Sequence, residues 1–153
     1  MELSSETIRD RLDSWPVARL ATLGESGCPH LVPIVFARVG ECLWSPVDGK
    51  PKSGGELARV RNIRARPDVG LLLDEYTSDW KRLWWIRIEG KARVVEPEAP
   101  QQDASFLAAL EALRKKYPQY EEVPLVQTPP TMLAFDSLQI RSWCAGSTAT
   151  TPQ

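Results

Sequence analysis

The run LWWIRIEGKARVV at residues 83–95 alternates strictly at its start, with Trp84, Ile86 and Ile88 on one face and Trp85, Arg87 and Glu89 on the other. A period of two cannot serve a helix, whose faces recur every 3.6 residues, so this chain must build a sheet with one dry side and one wetter one. Turn signals cut the flanking sequence into further short strands. Residues 17–23 lead through Gly24-Glu25-Ser26-Gly27 into a second strand at 30–38, and Val39-Gly40 turns into a third at 41–47. Pro33 lies inside the second strand and marks an edge or a bulge there. Residues 68–75, carrying Val69, Leu71, Leu72 and Leu73, read as a buried strand, and 131–143 as the sixth and last.

Helices fill the gaps. Ser4 or Ser5 caps a first one, with Ile8, Leu12 and Trp15 on one side and Pro16 ending it. Residues 56–65 form a short second helix around Leu57, Val60 and Ile63, stopped before Pro67. Asp103 caps a third, whose stripe is Phe106, Leu107, Leu110 and Leu113 and whose last turn sets Arg114, Lys115 and Lys116 against the negative end of the dipole. No repeat or long linker divides the chain, which predicts one domain over 1–146 and a disordered polar tail at 147–153. Six tightly connected strands in 153 residues most economically close on themselves, because closure removes exposed edges. The expected class is therefore mainly β: a small antiparallel barrel with peripheral helices.

Composition narrows the function. A formal net charge of -1 gives no global attraction for a polyanion, and no strand pair alternates basic and exposed aromatic residues, so a nucleic-acid partner is not expected. No apolar run approaches the roughly 20 residues needed to cross a bilayer, and the acidic N-terminus MELSSETIRDRLDSW lacks a signal peptide's apolar stretch. A soluble, cytoplasmic protein without a membrane partner is expected. Cys28, Cys42 and Cys144 lie far apart and read as reduced, mostly packed thiols, while a lone histidine, His30, leaves no zinc site to expect. There is no H-E-x-x-H, no Walker loop and no G-x-G-x-x-G. With acid–base and nucleophilic groups this sparse, no catalytic side chain is assigned. Either the chain is a binding module or a cofactor carries the difficult step.

A basic stretch supports the cofactor. From Lys50 to Arg66 stand Lys50, Lys52, Arg59, Arg61, Arg64 and Arg66 against one acid, Glu56. Pro51 stiffens the backbone between the two lysines, Gly54-Gly55 permit close approach, and a helix start follows, so the stretch SPVDGKPKSGGEL can cradle a phosphate. The same pattern also fits a solvated turn followed by a soluble helix face. Trp44, Trp84 and Trp85 can wall a planar heterocycle or fill a core or interface, and Trp84 and Trp85 must face opposite sides.

In order and spacing, "DGKPK", "RNIRARPDVGLLLDEY" and "DWKRLWWIRIEG" resemble the pyridoxamine 5'-phosphate oxidase-like, flavin-reductase-type split-barrel proteins, nearest to their F420-dependent oxidoreductase branch. The likeness runs from about Val17 to Trp143. It implies a six-stranded split β-barrel of Greek-key type, working as a homodimer with cofactor grooves at the subunit interface. It also implies an oxidoreductase passing a hydride from reduced F420 to a small organic acceptor, with FMN binding or a non-catalytic carrier as the alternatives. Carried onto this sequence, Val32, Pro33 and Ile34 lie against the ring. Trp44, Ser45, Lys50, Pro51 and Lys52 hold the chain and phosphate, with Arg61 and Trp85 adjoining. The Arg- and His-bearing C-terminal motif of true pyridoxamine phosphate oxidases has no counterpart in IRSWCAGSTATTPQ, so vitamin B6 oxidation is not expected.

Overall fold

A computed structural model describes residues 1–47 and 55–146. Its sheet is mainly as the alternation predicts, but it has seven strands rather than six, all antiparallel: β1 Ala18–Leu23, β2 Pro29–Ile34, β3 Ala37–Val39, β4 Cys42–Pro46, β5 Asp68–Glu75, β6 Trp84–Val95 and β7 Met132–Cys144. Three α-helices surround it, α1 Ser5–Ser14, α2 Ala58–Ala65 and α3 Ala104–Lys116. None of the described helices is long and apolar enough to cross a membrane.

The extra strand arises because the expected second strand is cut at Val35-Phe36. Its first part, β2, pairs with β1, whereas its second part, β3, pairs with β4. The strand order is β2-β1-β5-β6-β7-β4-β3, so these two pieces are the opposite edges of one sheet. Three Cα–Cα steps from Ile34 to Ala37 span at most about 11 Å, so the sheet must curl until its edges nearly meet. No ladder joins them among the described residues, and the result is a split barrel. Pro33, in the outermost strand, stands where a residue without an N–H is tolerated.

One phenol holds the crossing. Tyr117, 7% exposed at the end of α3, accepts the Phe36 N–H at 3.1 Å. Its own proton has the Phe36 and Pro16 carbonyls within 3.0 and 2.9 Å. Burial pushes the Tyr117 hydroxyl above its ordinary pKa of 10. Next to it, the Lys116 ammonium donates to the Leu12 carbonyl at 3.0 Å and sits 3.7 Å from the Phe36 ring centroid, where burial lowers its pKa to about 8.

The barrel interior is filled from alternate strand positions by Leu20, Leu43, Leu71, Leu73, Ile86, Ile88 and Phe135. A second cluster packs α3 onto the outside through Phe106, Ala109 and Leu113 against Trp44 and Met132. Leu107, assigned to that stripe from its spacing, is exposed, and Ala109 takes the contact instead. Ser4 and Asp103 are the N-caps of α1 and α3, accepting from Thr7 and Phe106 N–H, while α2 starts two residues later than expected, at Ala58.

β7 carries a bulge. Glu89 pairs with Gln139 and Lys91 with Asp136, so Gly90 faces two residues, Ser137 and Leu138. Ser137 has φ of 52°, and a Cβ on Gly90 would stand 2.8 Å from the Asp136 carbonyl oxygen. Beyond the bulge β7 leaves β4, whose pairing stops at Phe135.

Candidate functional site

Sequence reasoning places its cofactor residues on four separate segments, and the fold brings part of them together. Pro33 and Ile34 from β2, with Val35, meet Ser45 and Pro46 from β4 around a cleft of about 170 Å³. Val17, Arg59 and Tyr120 complete the lining. The meeting follows from the curl of the sheet. β2 and β4 are far apart in strand order, yet the kink at Val35-Phe36 draws one toward the other.

The described residues on either side of the basic segment are held in place. Val47, 1% exposed, donates its N–H to the Thr131 carbonyl and accepts from Gln127 N–H, at 3.1 and 2.8 Å. On the far side, Arg64 is gripped by Glu56 at 2.9 Å and by Glu96 at 2.8 Å, which raises its pKa. The expected phosphate-binding residues Lys50, Pro51 and Lys52 lie outside the described residues. Arg64, counted above as part of a cationic run, is neutralised by a carboxylate, Glu96, brought from the end of β6.

The basic side chain that enters the cleft is Arg59. Arg61, assigned from the family resemblance, is exposed and is not among the described residues that line this cleft. Helical spacing carried the signal: Arg59 shares a face with Asn62 and Ile63, three and four residues on, and both are buried. Asn62 does not point into the cleft. Its side-chain amide donates to Thr22 Oγ1 at 3.0 Å and ties α2 to β1. Tyr120, from the turn Pro118–Glu121, was not singled out and had no periodic signal to reveal it.

The remaining assigned residues are dispersed. Val32 is half-buried on β2 beside the cleft residues. Trp44, 3% exposed, is packed in the α3 cluster with Arg93 over its ring at 5.6 Å, so it supports Ser45 from behind. Trp85 lies on the outer face of β6, beside a different hollow. Trp84 is in the core, edge-on to Trp15 with centroids 4.7 Å apart. His30 is half-buried on the same face of β2 as Val32 and Ile34. Of the thiols, Cys144 is buried, Cys42 half-buried and Cys28 exposed.

Chemically the cleft offers one guanidinium, a phenol, a buried hydroxyl and the unpaired outer edge of β2. Among the described residues its lining has no carboxylate, thiol or imidazole. Such a site can grip an anion and orient a polar ring, but it supplies no obvious proton donor beyond Tyr120 and Ser45. Its size suits a phosphate-like head and is too small for a tricyclic ring.

No curated protein matches this chain. Among solved structures, a conserved hypothetical protein of Mycobacterium tuberculosis is 25% identical with a TM-score of 0.69, covering 99% of this chain and 91% of the other. A FAD-binding protein of Mesorhizobium loti is 20% identical, with TM-score 0.66 and coverages of 93% and 95%. An F420 reductase is 19% identical, with TM-score 0.58 and coverages of 86% and 94%. Heme-binding proteins also share the fold. The family model of pyridoxamine 5'-phosphate oxidase matches residues 4–144, nearly the whole chain. With its seven-stranded split barrel and a cleft between β2 and β4, this chain belongs to the pyridoxamine 5'-phosphate oxidase family.

Proposed function

We propose that this protein is a cytoplasmic, homodimeric oxidoreductase that passes a hydride from reduced coenzyme F420 to a small organic acceptor. The observation that carries this reading is the convergence of Pro33, Ile34, Ser45 and Arg59 on one cleft, at the root of the lysine-bearing loop. Membership of a flavin-type family and an F420 reductase among the structural relatives support it. Bound F420 would supply the hydride. The chain's part is grip and placement: Arg59 with Lys50 and Lys52 holds the phosphate, Ser45 adds a hydrogen bond, and Val32, Pro33 and Ile34 fix the ring plane. Pro51 keeps the two lysines together, and Trp44 buttresses Ser45. Substrate or water supplies the proton.

FMN is the alternative cofactor, supported by a flavin-binding protein among the structural relatives. Heme has no specific support in the site, because the only imidazole of the sequence, His30, faces inward. The deciding experiment titrates purified protein with F420 and with FMN, following absorbance and fluorescence. Saturable F420 binding, followed by oxidation of F420H2 with quinones, enones or tetrapyrroles, is the expected result. Tight FMN binding without F420 binding would replace the cofactor. F420 binding without turnover would make the protein a carrier. Sedimentation velocity tests the homodimer, and a single species at 17.2 kDa would remove it.

A further inference from the structure

The fold leaves part of one strand edge open. Before the bulge, the edge of β7 turned away from β6 is covered by β4, whose outermost pair joins Leu43 to Phe135. At the far end Cys144 bonds Met1 through both its N–H and its C=O, at 2.8 and 3.1 Å. Backbone groups along a strand point to alternate sides, so Ser142 and Ile140 direct theirs to the same edge as Cys144. Neither finds a backbone partner there among the described residues; the Leu3 N–H reaches only the Ser142 hydroxyl, at 3.1 Å. The open stretch from Asp136 to Ser142 is about 20 Å of extended chain. Ile140 stands opposite the fully buried Ile88, on the barrel side of β7, and yet is 39% exposed. With Leu138, Leu43 of β4 and Ile8 and Leu12 of α1 it walls a groove of about 730 Å³. At the rim Asp13 grips Arg38 at 2.7 Å and Glu41 adds to that field. Arg9, also on the rim, is exposed and makes no ion pair among the described residues.

We propose that this edge receives an extended segment of a partner protein, about seven residues long, apolar at alternate positions and acidic at its ends. Laid beside β7, the segment completes the ladder. Its residues opposite Ile140 and Ser142 exchange hydrogen bonds with the free N–H and C=O groups, and the side chains of those same residues point into the groove. A helix cannot answer an open ladder, because its backbone groups already bond internally. Met1 at one end and β4 at the other keep the added strand short. Arg9, the cation left without a partner, selects the acid by charge complementarity. The groove shares no residue with the cofactor cleft, so the site stands whichever cofactor the protein binds.

The test uses the full chain in its solution oligomeric state and the fluorescein-labelled peptide Glu-Val-Thr-Val-Thr-Val-Glu, followed by fluorescence anisotropy. Saturable binding is expected. N-methylation of the valines removes the N–H groups that would face β7 and should weaken binding by about tenfold or more. Lysine in place of both glutamates should weaken it by about threefold to tenfold. Arg9→Gln should lose that preference for glutamate over lysine. Amide hydrogen exchange gives a reading that needs no variant. In the free protein Ile140 and Ser142 should exchange faster than Arg141 and Trp143, which face β6, and they should slow when the peptide binds. No saturable binding, equal binding of the N-methylated peptide, an unchanged preference in Arg9→Gln, or no slowing at Ile140 and Ser142 would overturn the site. Slow exchange of those two amides in the free protein would mean that a second copy already covers the edge, and would overturn it as well.

Discussion

Arg59 and Arg61 differ by two positions and face different worlds. Arg59→Gln should weaken cofactor binding by about 1–3 kcal/mol, the range for a charge-assisted contact, while Arg61→Gln should change it far less. Titration of both variants with F420 checks this, and the reverse ranking would move the anion site to the other side of α2. Lys52→Ala should lose a similar 1–3 kcal/mol in the same assay. At this scale the sequence was readable only where neighbours constrained a residue. Arg59 could have been separated from Arg61 by its spacing to Ile63, but Glu96 reaches Arg64 through tertiary structure and left no local trace. Lys116 carries a different consequence. Its folded pKa, about 8, lies below the ordinary 10.5, so the fold favours the neutral amine. Below pH 8 both states are protonated and the burial cost stands in full. Between 8 and 10.5 the unfolded chain holds a proton the fold has released, so stability rises with pH. Tyr117, raised above 10 by burial, opposes this from pH 10 upward, because the unfolded chain ionises first. Urea unfolding across pH 7–10 should show that climb in wild type and a flatter profile in Lys116→Met. Equal slopes would mean the ammonium is solvated, with Asp13 compensating.

Among the elements, β7 is bent at Ser137 and Leu138, opposite Gly90 of β6. Gly90→Ala must push a methyl into the Asp136 carbonyl and the Leu138 side chain, at 2.8 and 2.9 Å. A cost of about 1–3 kcal/mol is expected from overpacking. Urea denaturation measures it, and an unchanged midpoint would mean that the bulge relaxes freely. The alternation at 83–95 announced β6 without revealing its bulge, since an extra residue on a partner strand is written in the pairing and not in either sequence alone. The break at Val35-Phe36 was hidden for a like reason. Nothing in VPIVFARV separates two strands, and Tyr117, far along the chain, makes the kink by taking both polar groups of Phe36. Pro33 did signal an edge, and β2 is one.

For the whole molecule, composition and turn spacing were enough to predict an antiparallel sheet curled into a small barrel, because short strands with one dry face have few other ways to hide their edges. Strand order was not readable in that way: β1 lies beside β5 and β4 beside β7 through long-range pairing. The cleft inherits this division. Its two walls were each named from sequence, but their contact depends on the curl. β7 is the sole strand joining β6 to β4, so without it the ladder falls into a four-stranded piece and the β3–β4 hairpin. A chain ending at Pro130 should therefore lack a cooperative thermal transition, and a sharp melt by circular dichroism would refute that. Synthesis runs from the N-terminus, so the fastener leaves the ribosome after every strand that it joins. Until then both pieces of sheet wait with bare rims, so in the cell the exposure to misassociation lasts until β7 emerges, and slowing translation of that strand would lengthen the risk.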